Sequence, residues 1–277
     1  RLLEELGVQP DVYHNNEGHS AFSCLERLRH FVVEQKMAVD EAIELIRAST
    51  LYTTHTAVPA GHDSFDEELM RVYFYHFCSL LKVSWDEFMS FGRFGNRGDK
   101  EKFSMSLLAI HFSQQVNGVS EIHGKVSREM FAPLFPGYFP EELFISHVTN
   151  GVHFPTWVAN SWLKLYTDVF GEEFLNHQSN EKYWLKIHNV DDSTLWHTHL
   201  QQKEQLLHHV EERLKTEFLR RAEDPKLWLK TVEKLNPKAL TIGFARRFAT
   251  YKRAHLLFRD LNRLNEVVNN PERPVQF

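Results

Sequence analysis

Short apolar runs alternate along this chain with longer stretches whose apolar residues recur at helical spacing. Phe22, Leu25, Leu28, Phe31 and Val32 share one helical face. So do Ala42, Ile43, Leu45 and Ile46 over 38–48, and Leu69, Val72, Tyr73, Phe77 and Leu80 in a helix capped by Asp63 or Ser64. The runs at 11–14, 51–54 and 145–149 read as short strands, and each passes into a polar loop carrying His or Asn. Helices are expected at 103–116, interrupted at Asn117-Gly118, and at 119–133. Strand, polar loop and helix in repetition predict a parallel α/β sheet with functional residues at the carboxyl ends of its strands.

Residues 156–236 carry helical periodicity only. Their longest helix, 193–221, has Leu200, Leu207, Val210, Leu214 and Phe218 as its buried stripe. After Pro237 the run Ala239-Leu-Thr-Ile242 reads as a strand of a second α/β unit, covering 239–244. The expected organisation is therefore one α/β domain over 1–155, a helical connection over 156–236 and the start of a second α/β domain at 237–277. One strand and helix cannot cover themselves, so Ile242 and Phe244 are expected to be exposed or covered by another chain.

The second unit opens on the chain's densest basic cluster: Arg246, Arg247, Lys252 and Arg253. Leu256, Leu257, Phe258 and Leu261 then mark an apolar helix face, with Lys252 expected to open that helix. Strand, basic turn and helix is a layout that holds phosphate: free N–H groups and a partial positive charge stand at the helix start. Arg adds a planar fork of donors and Lys a point charge. A solvated basic turn is the alternative. On the phosphate reading Arg247 and Lys252 face one side, with Tyr251 packed beside them.

Net charge is −5, so any anion site must be local and nothing global suggests nucleic acid or an anionic membrane. No apolar run is long enough for a transmembrane helix. Cys24 and Cys78 sit in helical patterns and read as free buried thiols of a cytoplasmic protein. The chain starts at Arg1 without Met and ends on Pro274-Val-Gln-Phe277, which reads as the opening of a strand, so it is expected to be an internal piece of a longer protein. The 17 histidines raise the question of metal, but His197/His199, His208/His209 and His14/His19 lack zinc-ligand spacing, and no metal site is expected. The loop residues Asn16, Glu17, His19, His55, His62, Asn150 and His153 suit a ligand rich in hydroxyls, such as a sugar. Helix capping and loop tying are the alternative. No second acid stands beside Glu17 to make a hydrolytic carboxylate pair.

Five stretches resemble the α-glucan (glycogen/starch/maltodextrin) phosphorylases. They are Tyr13-His-Asn-Asn-Glu-Gly-His-Ser-Ala-Phe22, Thr53-Thr-His-Thr-Ala-Val-Pro-Ala-Gly-His-Asp63, Val116-Asn-Gly-Val119 with Ile122-His-Gly124, His147-Val-Thr-Asn-Gly-Val-His153 with Pro155 and Trp157, and Gly243-Phe-Ala-Arg-Arg-Phe-Ala-Thr-Tyr-Lys-Arg253. Their order is the family's, and they resemble its shorter, non-allosteric branch. The better-known branch has Asn-Asp-Thr-His-Pro where this chain has Asn16-Glu-Gly-His-Ser20, and Lys-Arg-Ile-His-Glu-Tyr-Lys-Arg where it has Arg246-Arg-Phe-Ala-Thr-Tyr-Lys-Arg253.

The resemblance implies a helix-rich GT-B fold of two doubly wound parallel-sheet domains, with the active site in the cleft at their hinge. It implies phosphorolysis of an α-1,4-glucan by inorganic phosphate to glucose 1-phosphate, with pyridoxal phosphate as cofactor. It places Arg247 and Lys252 on the reacting phosphate, His19 and Asn150 on the glucosyl unit, and Arg246 at the cofactor phosphate, where the family has Lys; Asn16 and His153, loop residues of the same motifs, are expected to bind substrate with them. The family's Schiff-base lysine lies in a Gly-rich motif beyond Phe277, so the isolated 277 residues are expected to be inactive. A homodimer is one option for assembly. Two other readings compete: a nucleotide-sugar glucosyltransferase of GT-B architecture, such as a glycogen synthase, and a non-catalytic glucan-binding or structural module.

Overall fold

The structure, a computed structural model, describes residues 2–94, 101–248 and 252–277. The chain divides into two compact units, 1–151 and 152–277. The first begins with a short helix, α1 (Leu2–Glu5), and the strand β1 (Tyr13–Asn16). Helices α2 (Phe22–Arg29) and α3 (Val39–Ala48) lead to β2 (Thr50–Thr53), and a π-helical turn (His30–Glu34) extends α2. The chain continues through β3 (Ser64–Phe65), α4 (Glu67–Leu81), α5 (Trp85–Ser90), β4 (Phe103–Ser104) and α6 (Met105–His111). Then come β5 (Gln115–Gly118), α7 (Glu121–Phe131) and β6 (Ile145–His147).

Strands β1, β2, β5 and β6 form one sheet in that order, parallel at every pairing. The expected parallel α/β sheet is present. Strands β3 and β4 make a separate antiparallel pair. The core is built where the helical stripes meet the sheet: Leu25, Leu28, Ile46, Tyr52, Leu81, Phe88, Phe103, Leu108, Phe112 and Val116 are buried. Cys24 and Cys78 are buried and free, as expected.

Three expectations fail locally. The stretch 103–116 is not one helix: it breaks into β4, α6 and the start of β5. Strand β5 escaped notice because it carries one apolar residue, Val116, and a buried Asn117. Asn117 is tolerated there because Thr53 Oγ1 donates to its Oδ1 (2.9 Å) and its Nδ2 donates to Gly118 O (3.0 Å). Asp63 and Ser64 do not cap α4. Ser64 pairs with Ser104 in β3, and the N-cap is Asp66. Strand β1 sits two residues later than expected, so Asn15 and Asn16 belong to the strand and not to its loop.

The second unit holds α8 (Phe154–Trp157), α9 (Asn160–Phe170), α10 (Glu181–Trp184), the 29-residue α11 (Asp192–Arg220) and α12 (Pro225–Val232). Phe170 and Phe174 are its buried aromatic centre, with Phe154, Tyr166 and Trp184 against them. Helix α11 starts where Asp191 Oδ1 accepts from Thr194 N (2.9 Å); the Ser193 and Thr194 hydroxyls also donate to this carboxylate, and these bonds, that of Ser193 foremost, hold it down at about 2. Its expected buried stripe is only half-buried.

Strands β7 (Leu240–Thr241) and β8 (Val275–Gln276) pair in parallel, with α13 (Leu261–Val268) between them in sequence. Gln276 locks this pair: its Oε1 accepts from Asn236 N (2.9 Å), and its Nε2 donates to Asn236 O (3.0 Å) and Thr241 Oγ1 (2.7 Å). The strand expected over 239–244 is thus two residues long. Ile242 (39%) and Phe244 (54%) are exposed, as expected.

Candidate functional site

In a parallel sheet every strand points its carboxyl end the same way, so the loops after β1, β2, β5 and β6 gather at one edge. That edge carries most of the polar loop residues singled out in the first unit. His55 Nε2 donates to Asn16 Oδ1 at 2.7 Å, which joins the loops after β1 and β2. Glu17 follows β1 with φ 69° and ψ 165°, a conformation that residues with a Cβ rarely adopt. It is held by its surroundings. Glu17 N donates to Thr53 O (2.9 Å), and its Oε1 accepts from His55 N (2.5 Å) and Thr56 Oγ1 (3.0 Å). Gly18 is buried against α6, where an added Cβ would lie 3.0 Å from Ser106 Oγ and 3.1 Å from Ser106 N. The next residue, His19, is exposed in a short 3-10 turn (Gly18–Ser20).

Beneath this rim the polar groups are buried. His62 shares a 2.6 Å hydrogen bond between its Nδ1 and Ser106 Oγ, and burial lowers its pKa. His62 therefore belongs to the support of the loops and not to their exposed edge. Tyr52, fully buried, has its pKa pushed up to about 12 by burial, with the Glu17 charge adding to it. At the end of β5, Gly118 lets the chain pass α7 closely: an added Cβ would stand 2.6 Å from His123 Nδ1 and 2.9 Å from Gly124 N. Val119 N donates to His123 Nδ1, so the proton of that ring lies on Nε2, which has no hydrogen-bond partner among the described residues.

The loop after β6 is tied through its backbone, with Asn150 N donating to Val119 O (3.1 Å), and the Asn150 side chain is exposed. The structure thus draws Asn16, Glu17 and His55 into one hydrogen-bonded rim, with His19 in the same loop as Glu17 and Asn150 in the loop after β6. His153 lies in the second unit. It precedes α8 and bonds locally, Nδ1 to Thr156 Oγ1, at 2.6 Å.

The basic turn is built differently. Arg246 and Arg247 are exposed and Lys252 is half-buried. The helix expected to open at Lys252 does not. Arg253 takes a left-handed conformation (φ 54°), a 3-10 helix (Ala254–Phe258) follows, and α13 begins only at Leu261. The left-handed residue interrupts the helical ladder, so the helix-dipole contribution expected at Lys252 is withdrawn and the side-chain cations remain. Tyr251, expected beside them, lies outside the described residues. Among the described residues, no group of three or more His, Cys, Asp or Glu side chains is placed to hold a metal ion. No helix there is long and apolar enough to cross a membrane.

The sequence reading left out Thr53, Thr56 and Ser106, the donors and acceptors that fix the rim. Thr53 and Thr56 lay within a motif already quoted. Ser106 carried no signal, because its contact with Gly18 bridges 88 residues of sequence.

The sequence of the chain is similar to those of known proteins. A maltodextrin phosphorylase of Thermococcus litoralis is 39% identical over 276 residues, covering 99% of this chain and 32% of its own length. A glycogen phosphorylase of Mycobacterium tuberculosis is 38% identical, over 97% of this chain and 31% of its own length. A glycogen phosphorylase of Aquifex aeolicus is 32% identical, over 100% and 39%. The chain therefore spans about a third of the length of these relatives. A sequence model of the family described as carbohydrate phosphorylase matches residues 8–273, and with that span matched the chain belongs to the carbohydrate phosphorylase family.

Proposed function

We propose that this chain is part of an α-1,4-glucan phosphorylase, which uses inorganic phosphate to release glucose 1-phosphate from glycogen, starch or maltodextrin. The observation that carries the reading is the rim at the strand ends, where Asn16 and His55 meet by a 2.7 Å hydrogen bond beside the exposed His19. Hydrogen-bonding side chains on a rigid parallel sheet suit a ligand made of hydroxyls. In this reading His19 and Asn150 hold the glucosyl unit, with Asn16 and His153 supporting substrate. Arg247 and Lys252 hold phosphate.

The reaction sets what these residues must do. Phosphorolysis develops positive charge at the anomeric carbon, and phosphate must stand beside it. Cations that neutralise phosphate keep it bound and oriented there, so positioning and preorganised charge supply much of the rate. The rim fixes the sugar while the cations fix the nucleophile. Arg246 offers a guanidinium suited to a second phosphate, that of pyridoxal phosphate, which would act there as a proton relay. No lysine among the described residues stands in a Gly-rich motif that would take the cofactor's aldehyde. We carry the GT-B arrangement of two doubly wound domains, with 1–155 on the glucan side, 156–236 connecting and 237–277 on the phosphate side, as part of the same proposal. A cytoplasmic setting and a homodimer belong to it as well.

The test is turnover by the natural full-length protein. Maltooligosaccharide plus inorganic phosphate should give glucose 1-phosphate. Transfer from a nucleotide-sugar donor with no phosphorolysis would instead identify a glucosyltransferase, and neither activity would leave a glucan-binding module.

A further inference from the structure

We propose that Glu17 is a positioning residue for glucan: its carboxylate clamps the loop after β2 onto the loop after β1, so that Asn16, His19 and His55 are presented as one rigid edge. The inference rests on the glucan reading of that rim. Glu17 has the placement of an acid at a reaction centre, at a strand end among polar loop tips. The structure gives its carboxylate different work.

The clamp consists of two donors from one loop on one oxygen. His55 N (2.5 Å) and Thr56 Oγ1 (3.0 Å) both point at Glu17 Oε1. Charge-assisted bonds of this kind are short and directional. They fall on the residue that also passes its own backbone N–H to Thr53 O at 2.9 Å, so the end of β1 is fastened to the end of β2 by backbone and side chain together. Next to the clamp, His55 turns its ring to Asn16 Oδ1. The two substrate-side groups Asn16 and His55 therefore flank the Glu17 contact.

The backbone of Glu17 shows that this arrangement is imposed. With φ 69° and ψ 165° it lies where glycine is the comfortable residue, and such conformations persist only when their surroundings over-determine them. A glycine follows at once, yet the strain is on Glu17. Gly18 is needed for another purpose, its close approach to Ser106. The loop is thus pinned from beneath at Gly18 and from the side at Glu17, and His19 follows directly. A glycine at 17 would relax the backbone; the side chain is what glycine cannot supply.

The experiment compares Glu17→Gly and Glu17→Gln in the natural full-length protein, with two readouts. Glycine suits the backbone angles, so the variant tests the carboxylate without adding strain. The first readout is amide exchange resolved to single residues. In Glu17→Gly the His55 amide should exchange at least about 10-fold faster, because its acceptor is gone. The Thr54 amide, bonded to Asn117 O at 3.0 Å, should keep its rate. The second readout is kinetic. KM for maltooligosaccharide should rise about 10-fold in Glu17→Gly and less in Glu17→Gln, which keeps an amide oxygen to accept, while KM for phosphate stays within about twofold. An unchanged His55 exchange rate overturns the clamp. Faster His55 exchange with an unchanged KM for glucan overturns its positioning role, and so does an equal rise of KM for glucan and for phosphate. A kcat loss of about 1,000-fold or more with both KM values unchanged would make Glu17 a participant in the chemistry and also overturn it. Faster exchange in a protein whose wild type turns over no glucan leaves the clamp standing and sinks the glucan reading alone.

Discussion

The rim at the ends of β1 and β2 and the basic turn at 246–253 are both loops following parallel strands, yet they are built in opposite ways. The rim stands on a four-stranded parallel sheet whose central strands are buried, and its side chains are bonded to one another across loops. The basic turn follows a two-residue strand in a two-stranded sheet, and Arg246 and Arg247 project into solvent. Around it Ile242, Phe244, Phe248, Leu256, Leu257 and Phe258 are exposed. Recognition of hydroxyls, which needs several weak bonds at fixed angles, is served by a rigid rim. Holding phosphate needs charge more than angle, and flexible cations can supply it.

If the first unit is the rigid one, its core should be costly to disturb. Leu28 is fully buried where α2 meets the sheet, and Leu28→Ala should cost about 2–5 kcal/mol, read as faster exchange of amides in β2 and β5. A loss below about 1 kcal/mol would erase the contrast between the units.

Acid should weaken the same unit by a comparable amount. His111 packs its ring against Phe91 (5.2 Å) and Phe112 (5.3 Å). Burial, helped by Arg47 and opposed by Glu44, pushes its pKa down to about 4. The folded state therefore favours neutral His111, and that stability is complete above about pH 6.5. It is lost as pH falls from 6.5 towards 4, because only the unfolded chain then takes up the proton, at a cost of up to about 3 kcal/mol. His111→Phe should flatten that part of the pH profile of β2 and β5 exchange.

Gly118→Ala sharpens the comparison at the site itself. The new Cβ would press on His123 Nδ1 and on the backbone of Gly124, neither of which can step aside cheaply. A cost of about 1–3 kcal/mol is expected, with exchange of the Val119 amide speeding up as its bond to His123 is lost. At the other extreme, Phe248 is 87% exposed, and Phe248→Ser should change stability by no more than about 0.5 kcal/mol while lowering the binding of a hydrophobic dye.

How far the sequence was legible follows the same division. Strands β1, β2 and β6 announced themselves by apolar residues next to polar loops, and α2, α3, α4 and α11 by periodicity. Strand β5 did not, because its buried Asn117 is satisfied by Thr53, a partner 64 residues away that no local pattern records. The same holds for the rim. Asn16, Glu17, His19 and His55 were visible as residue types, but the clamp between Glu17 and the 55–56 backbone was not, since it depends on the register of β1 on β2. In the basic turn the cations could be read. The helix start could not, because a left-handed Arg253 has no sequence signature of the kind glycine gives.

The central claim is that the rim serves sugar and the basic turn serves phosphate. Arg247→Ala in the natural full-length protein tests it most directly, with apparent phosphate affinity, turnover and maltooligosaccharide binding measured side by side. Loss of one charge-assisted contact to a reacting phosphate should lower kcat/KM for phosphate by about 100- to 1,000-fold. Maltooligosaccharide binding should stay within about twofold of wild type. Wild-type phosphate affinity and turnover in the variant would make the basic turn a solvated surface and contradict the account.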